Sequence, residues 1–286
     1  MNKIIQEDIH NILDSDLDYS QFKGKIFYLT GSTGMIGRFI KLFLEYINAI
    51  VITKESELIY QDIDYIIHAA SPASSELFVN PVDVFKCNVI ETNRLIEKIK
   101  GNNDLKGFMF LSSGEALNPV NCYGEAKRST ERLLRYYSDQ YNIPTYSVRL
   151  DHTFGPTMRL EKDKRIFAYI VKQILNNEQI NIENPSSVRT FTYITDALDG
   201  IFRTLLKGTS GEVYNIGNPK NKTTLHGLAL ELSLIYCDIE FVEGFDEKAT
   251  IKESLDIEPL RQLGFDPAIG TLEAFHRTIK SFKQEE

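Results

Sequence analysis

The apolar run KIFYLT (25–30) passes directly into Gly31-Ser-Thr-Gly34-Met-Ile-Gly37, and that turn passes directly into the amphipathic stretch RFIKLFLEYI. No other feature constrains the chain as much. Glycines at the carboxyl end of a strand let the backbone turn tightly and lie close to a ligand. The helix that follows brings unpaired N–H groups and partial positive charge to the same spot, which suits a pyrophosphate. Glycine triplets also occur in purely structural turns, so the strand before and the helix after carry the reading. On it, Gly31, Thr33, Gly34, Met35, Ile36 and Gly37 are the candidate phosphate-side contacts of a dinucleotide. An acid is expected about twenty residues further on, to hold the adenosine ribose. The run AIVIT (49–53) ends in Thr53-Lys54-Glu55. Glu55 can take that role, whereas Lys54 would favour a 2′-phosphate, so NAD and NADP both stay open.

Further short apolar runs follow at ELIY (57–60), DYIIHAA (64–70), GFMFLSS (107–113) and TYSVRL (145–150). Between the later ones, Val89, Leu95, Ile96 and Ile99 recur at helical spacing, as do Thr130, Leu133, Leu134, Tyr137 and Tyr141. Strands alternating with helices imply a parallel sheet covered on both faces. Between Gly37 and His68 there is room for one helix only. Parallel strands need a crossover of about a dozen residues or more, and only Lys54-Glu55-Ser56 separates AIVIT from ELIY. That half of the sheet is therefore abbreviated, with one strand missing or unusually paired.

Past Leu150 the rhythm changes. Gly155-Pro156 leads to a helix over 165–175, a strand QINIEN, a helix near 196–207 and a strand GEVYNIG (211–217). From Thr223 onward the pattern reads helix, short strand and C-terminal helix. The expected organisation is an N-terminal helical extension (1–22, with its helix at 4–13) and a dinucleotide-binding domain (23–150, joined by 190–218). A substrate-binding lobe (151–189 and 219–286) completes it.

Composition narrows the function. At 286 residues and 42% hydrophobic, the chain can bury a large core. A net charge of −8 without a basic stripe argues against nucleic acid, although a few Arg residues in a cleft would still admit an anionic substrate. Cys87, Cys122 and Cys237 are odd in number and contain no CxxC, which points to buried free thiols in a reducing cytosol. No cluster has metal-ligand spacing, so no metal is expected. The N-terminus lacks the basic start and apolar core of a signal peptide. No apolar run approaches the ~20 residues of a membrane span. A cytoplasmic protein is expected.

A second constellation is Tyr123-x-x-x-Lys127, opening a helix just after a strand that ends in Ser112-Ser113. Spacing of four puts phenol and ammonium on one helix face. The Lys charge is expected to lower the phenol from its usual value near ~10, preparing it to take a proton as hydride leaves a neighbouring carbon. Ser113 would bond the same hydroxyl. A hydrolase serine would need a G-x-S-x-G elbow, which the chain lacks.

These residues resemble the extended short-chain dehydrogenase/reductase family of nucleotide-sugar epimerases, dehydratases and decarboxylases, over nearly all of residues 24–283. The branch most similar is that of the UDP-glucuronate decarboxylases, through DYIIHAASPAS (64–74), NCYGEAKR (121–128), RLDHTFGPTM (149–158), RTFTYITD (189–196) and YNIGNP (214–219). The resemblance implies a Rossmann-type doubly wound parallel sheet with a small mixed α/β C-terminal substrate lobe. It implies Ser113, Tyr123 and Lys127 as catalytic residues, and Asn88 as the residue that helps a water chain to the Lys. Asp62, Ala69, Ala70 and Ser71 would join the cofactor contacts. Ser74, His152, Arg165 and Arg189 would face the sugar nucleotide, which is expected to be UDP-linked. His68 is expected to be structural.

Two residues bear on reaction type. In the resemblance, Glu115 manages a proton at C5 of the sugar and Arg189 meets the substrate carboxylate. On a plainer reading, Glu115 is a solvated loop acid and Arg189 pairs with Asp196 or a neighbour. The implied reaction is oxidation at C4, loss of the C6 carboxylate as carbon dioxide, and return of hydride. A 4-epimerase or 4-keto-sugar reductase is the alternative within the family, and a cofactor-binding scaffold or sensor without turnover is the alternative outside it. The chain departs from the family's pattern in several places. His152 replaces Asn, and Thr157 replaces an Arg after Gly-Pro. The Arg before the C-terminal Asp-Ile is absent, leaving Lys252 as the base nearest Asp256. The loop from Glu115 to Tyr123 is short. A homodimer through helices near 89–100 and 123–139 is expected.

Overall fold

The protein is described from a computed structural model at residues 2–71, 80–236, 241–243, 246 and 248–283. The first half alternates strand and helix: β1 (Ile26–Thr30), α2 (Met35–Tyr46), β2 (Ile50–Ile52), β3 (Tyr65–His68), α3 (Pro81–Phe85), α4 (Glu91–Ile99), β4 (Gly107–Ser113), α5 (Cys122–Tyr141) and β5 (Thr145–Leu150). A helix α1 (Lys3–Leu13) precedes them, and a π-helical turn, Lys86–Ile90, joins α3 to α4. The second half contributes β6 (Thr153–Phe154), α6 (Ile166–Leu175), β7 (Ile180–Ile182), β8 (Val188–Thr190), β9 (Thr192–Tyr193), α7 (Ile194–Lys207) and β10 (Val213–Ile216). It ends with β11 (Lys222–Thr224), α8 (Leu225–Ile235), β12 (Phe241–Glu243), α9 (Glu258–Arg261) and α10 (Thr271–Lys283).

The main sheet has six parallel strands in the order β10-β5-β4-β3-β1-β2. The order reverses between β1 and β3, and ligands of open α/β sheets bind beyond the carboxyl ends of the strands at such a point. Alternate side chains fill two cores, as a strand requires. Phe27, Leu29 and Met109 face α2 and α7 in the larger one. Tyr28, Phe108 and Phe110 face α4 and α5 in the smaller. The expected Rossmann-type sheet is therefore present, with its β2 half abbreviated. The run ELIY forms no strand. Residues 55–57 and 60–62 are single 3₁₀ turns, and Leu58 and Tyr60 pack under α4 instead. The connection is too short for a crossover, so the apolar run serves packing rather than pairing.

The N-terminal helix is part of the core. Ile5, Ile9 and Ile12 are buried within the larger cluster. Asp8 is fully buried, accepts from Tyr193 Oη at 2.7 Å and from Arg277 Nε at 2.8 Å, and is pushed up to about 6 by burial. The lobe's strands pair as short couples: β6 with β9, β7 with β12 and β8 with β11. Among the described residues, no helix is long and apolar enough to cross a membrane. Cys87 and Cys122 are half-buried rather than fully buried, and Cys237 lies outside the described residues.

Candidate active site

The glycine turn shows three different demands. Gly31 has φ +69°, and a Cβ there would lie 2.5 Å from the carbonyl carbon of Ala69 and 2.6 Å from the nitrogen of Ala70. A Cβ on Gly37 would lie 2.2 Å from the oxygen of Gly31. Both glycines are fixed by packing. Gly34 is exposed, and a Cβ there would meet only the Gly31 oxygen, at 3.4 Å. It stands at the N-terminus of α2, which no side chain caps. Open space before uncapped N–H groups fits a pyrophosphate. Thr33 is exposed beside it, while Met35 is buried and Ile36 half-buried, so the last two offer backbone only. Thr157, at the position where the resemblance implies Arg, is buried and donates to the Met35 carbonyl at 2.8 Å.

The loop after β3 lies alongside. The amide of Ala70 donates to Thr30 Oγ1 at 3.2 Å, and Thr30 Oγ1 meets His68 Nδ1 at 2.8 Å. Burial and the Lys127 charge push His68 down to about 3, which keeps it neutral and structural. A cavity of about 200 Å³ reaches from Thr30 and Ala70 to Glu91 and Arg94.

The second constellation converges at the end of β4. Ser112 turns away, donating to Glu131 at 2.5 Å, which Arg149 also holds at 2.6 Å. Ser113 points into the site, where its Oγ accepts from the Glu115 amide at 3.3 Å. Asn121 caps α5 by accepting from the Gly124 amide at 2.9 Å, which fixes the turn that carries Tyr123. The Tyr123 phenol is hydrogen-bonded to both Ser113 and Ser71. Lys127 is buried, donates to the Leu111 carbonyl at 2.7 Å, and lies 5.7 Å from the Tyr123 ring centroid. Burial pulls Lys127 down to about 7.

That corrects the expected electrostatics of the phenol. Burial raises Tyr123 above its usual value, against the opposing pull of Ser113 and Ser71. An ammonium brought down to about 7 is only partly charged at neutral pH, so it offsets little of that burial. Asn88 lies in the π-helical turn. Its carbonyl accepts from Thr92 at 2.5 Å and Thr130 at 3.0 Å, and its Oδ1 accepts from Ser71 at 2.9 Å. Its visible task is to hold Ser71, which in turn holds Tyr123.

On the sugar side, Glu115 forms an ion pair with Lys252. Arg189 donates to the carbonyls of Val188 at 2.7 Å and Thr250 at 2.8 Å, and to Thr250 Oγ1 at 2.8 Å. Burial lowers it, opposed by the nearby charges of Asp151 and Glu115. It does not pair with Asp196, which instead accepts from the amides of Ala268 and Ile269 at 3.0 and 3.3 Å. Arg165 is held bidentately by Asp163 at 2.9 and 2.6 Å, and its charge reaches Tyr123. His152 Nδ1 lies 2.7 Å from Asp151 Oδ1. Ser74 lies outside the described residues.

Two adenosine-side expectations change. Asp62 precedes the N-terminal end of β3, close to Asn102, which bonds the carbonyls of Tyr60 and Ile63. Strands run parallel, so this is the opposite end of the sheet from Gly31, and Asp62 does not join the cofactor site. Glu55 is at the right end but engaged. It accepts from Arg94 at 2.7 and 2.8 Å, Lys98 at 2.5 Å and Tyr60 at 2.6 Å, and these bonds hold its carboxyl well below the usual range. Arg94, Ser71 as a partner of Tyr123, and Lys252 as a partner of Glu115 were not found from sequence. Each meets its partner across a long stretch of chain, where no local pattern signals it.

Comparison with known proteins agrees with this geometry. The chain is 28% identical over 250 residues to UDP-glucuronic acid decarboxylase 6 of Arabidopsis thaliana, covering 80% of this chain and 72% of that one. The Bordetella bronchiseptica enzyme WbmF, solved in complex with NAD+ and UDP, superposes with a TM-score of 0.80 at 19% identity, over 93% of this chain and 94% of the other. UDP-glucuronic acid 4-epimerase from Bacillus cereus in complex with NAD superposes with a TM-score of 0.75 at 21% identity, over 91% and 99%. These two likenesses establish the fold. A family model matches residues 27–217, which include the glycine turn and the Ser113, Tyr123 and Lys127 set, and the chain accordingly belongs to the NAD dependent epimerase/dehydratase family, whose cofactor is NAD.

Proposed function

We propose that the protein is an NAD-dependent UDP-glucuronate decarboxylase. The observation that carries this reading is Glu115, a carboxylate two residues after Ser113 whose charge reaches Tyr123, ion-paired to Lys252 and close enough to Arg189 to act on its charge. A simple alcohol oxidation has no use for such a group, whereas loss of a C6 carboxylate leaves a carbanion at C5 that must be protonated. The decarboxylase relatives support the same choice.

In this reading the turn Gly31–Gly37 holds the pyrophosphate of NAD, with Ala69, Ala70 and Ser71 alongside. NAD, when bound, supplies the acceptance and return of hydride at C4. Tyr123 takes the C4 hydroxyl proton, Ser113 orients that hydroxyl, and Lys127 holds the phenol from beneath. Arg189 receives the C6 carboxylate, which lies β to the C4 ketone and leaves as carbon dioxide. Glu115 manages the proton at C5. His152 and Arg165 line the sugar-nucleotide side. Residues 23–150 with 190–218 form the cofactor domain, and 151–189 with 219–286 form the substrate lobe.

The protein pairs with a second copy through the exposed apolar residues Val82, Phe85 and Ile90 before α4 and Tyr136 and Tyr141 on α5. A C₂ dimer is the commonest closed assembly. The outer face of α4 itself carries the ion pairs of Arg94 and Lys98, so the apolar contact lies nearer 81–90 than 89–100.

Mass spectrometry after incubation with UDP-glucuronate and NAD tests the reaction. Loss of carbon dioxide is expected. A new sugar of unchanged mass would replace the reading with an epimerase. Glu115→Gln is expected to oxidise C4 slowly and stall before product release, with reduced cofactor accumulating in the near ultraviolet. Full activity in that variant would leave Glu115 a loop acid.

A further inference from the structure

Residues 250–256 run as a strap from the substrate lobe across the catalytic turn. Val188 donates its amide to the Thr250 carbonyl at 2.9 Å, Lys252 returns its amide to Val188 at 3.2 Å, and Ile251 bridges Val188 in parallel. The hydroxyls of Thr190 and Ser254 meet at 2.7 Å, and Asn215 Nδ2 donates to the Asp256 carbonyl at 2.7 Å. Leu255 packs so near the turn that a Cβ on Gly114 would meet it at 3.4 Å. The strap is thus anchored on both sides of Lys252 by bonds that do not involve its side chain. What the Lys252 side chain does is pair with Glu115.

A substrate that carries a carboxylate beside Glu115 brings like charge against like charge. At ~4 Å such a pair costs from about fivefold to ~10³-fold in affinity, depending on how well solvent screens it. A neutral hydroxymethyl in the same place costs nothing of this kind. An ammonium has three donors, and Glu115 takes one of those on Lys252. Arg189 adds a second cation whose guanidinium bonds neutral oxygens of Val188 and Thr250, and it makes no ion pair among the described residues. We infer that Lys252 is the residue that fits this site to a sugar acid, bridging Glu115 and the C6 carboxylate so that a uronate is accepted in preference to the neutral hexose. The inference rests on the proposed reaction for placing C6 near Glu115, and its test reads binding rather than turnover.

Calorimetry on the NAD-loaded protein would compare UDP-glucuronate with UDP-glucose in the wild type, K252M, K252R and the double variant K252M with E115Q. The wild type is expected to prefer UDP-glucuronate. K252M is expected to reduce that preference about tenfold, K252R to keep most of it, and the double variant to regain part of it, because the repelling charge has gone. Should K252M fail to fold, K252Q gives the same comparison. Equal weakening toward both sugars would overturn the inference and assign Lys252 to the diphosphate or to the strap. A wild type that binds UDP-glucuronate no better than UDP-glucose, or binds neither, would also overturn it. A preference that depends on Lys252 without release of carbon dioxide would instead end the decarboxylase reading and leave this one standing.

Discussion

The two ends of the proposed cofactor groove are built in different ways. At the catalytic end, Ser113 closes a strand and Tyr123 and Lys127 open the next helix, so one strand–turn–helix unit sets these three residues. At the adenosine end, Glu55 follows the three-residue edge strand β2 and is held by Arg94 and Lys98, which come from α4 on the far side of β3. Local spacing creates the first end, and tertiary ion pairs create the second. Chemistry that needs a fixed spacing on one element is written in sequence pattern. A binding wall rebuilt after a shortened connection is not.

The largest expected effect falls on the locally built end. Tyr123→Phe keeps the ring and its packing and removes only the oxygen that Ser113 and Ser71 hold. Turnover should fall by at least ~10²- to 10⁴-fold, the usual worth of general acid–base help, with NAD affinity unchanged by calorimetry. Retention of a tenth of the activity would remove the phenol from the chemistry. Gly34→Val comes next. The open space at Gly34 would be filled by a branched side chain, and charge-assisted bonds from the start of α2 to the pyrophosphate would be lost. Two such bonds are worth about 3 kcal/mol together, or roughly 100-fold in NAD affinity. Unchanged binding in Gly34→Val would contradict the placement of the pyrophosphate.

The same contrast explains what could be read in advance. β1, β3, β4 and β5 coincide with compact apolar runs, and α5 with a capped helical pattern, because each is specified by its own residues. The shortness of the β2 half was also legible, since a crossover has a minimum length. ELIY misled because a short apolar run looks alike whether it pairs as a strand or packs under a helix. Asp62 misled because resemblance fixes a position along the chain and not the end of the sheet at which it falls. The phenol misled for a different reason. A Lys four residues away is visible in sequence, but the burial that brings that Lys down to about 7 and raises the Tyr is a property of the packed interior. Glu115 could be singled out by its place after Ser113, whereas its partner Lys252 could not.

Burial of Lys127 yields the third prediction, in stability rather than rate. Its folded value of about 7 lies below the ordinary 10.5. Between those values the unfolded chain binds more protons than the folded one, so stability rises with pH across that window, and below about pH 7 the whole penalty is felt. Lys127→Met removes the buried charge. Relative to wild type, the variant should melt at least ~3 °C higher at pH 6 than it does at pH 10, as read by calorimetric scans at both pH values. A difference independent of pH would mean that Lys127 is not held partly neutral.

The smallest effects are expected at the adenosine end, and they separate two acids that sequence alone did not distinguish. Asp62 is exposed at the N-terminal end of β3, away from Gly31, so Asp62→Ala should leave both NAD and NADP affinity within about twofold, as expected of a solvated surface charge. Glu55 lies at the carboxyl end of the sheet, beside the cavity that Arg94 lines, and it occupies both Arg94 and Lys98. Glu55→Gln keeps the shape, removes the charge, frees Lys98 and leaves Arg94, which lines that cavity, held only by Glu91 among the described residues. The affinity ratio should then move toward NADP by about threefold, since exposed cations offer a 2′-phosphate only a modest attraction that falls as salt is raised. Titrations of both cofactors at low and high salt would read the shift. A larger effect from Asp62→Ala than from Glu55→Gln would reverse the assignment of the two ends, because it would bring the base of β3 to the cofactor and remove the β2 edge from it.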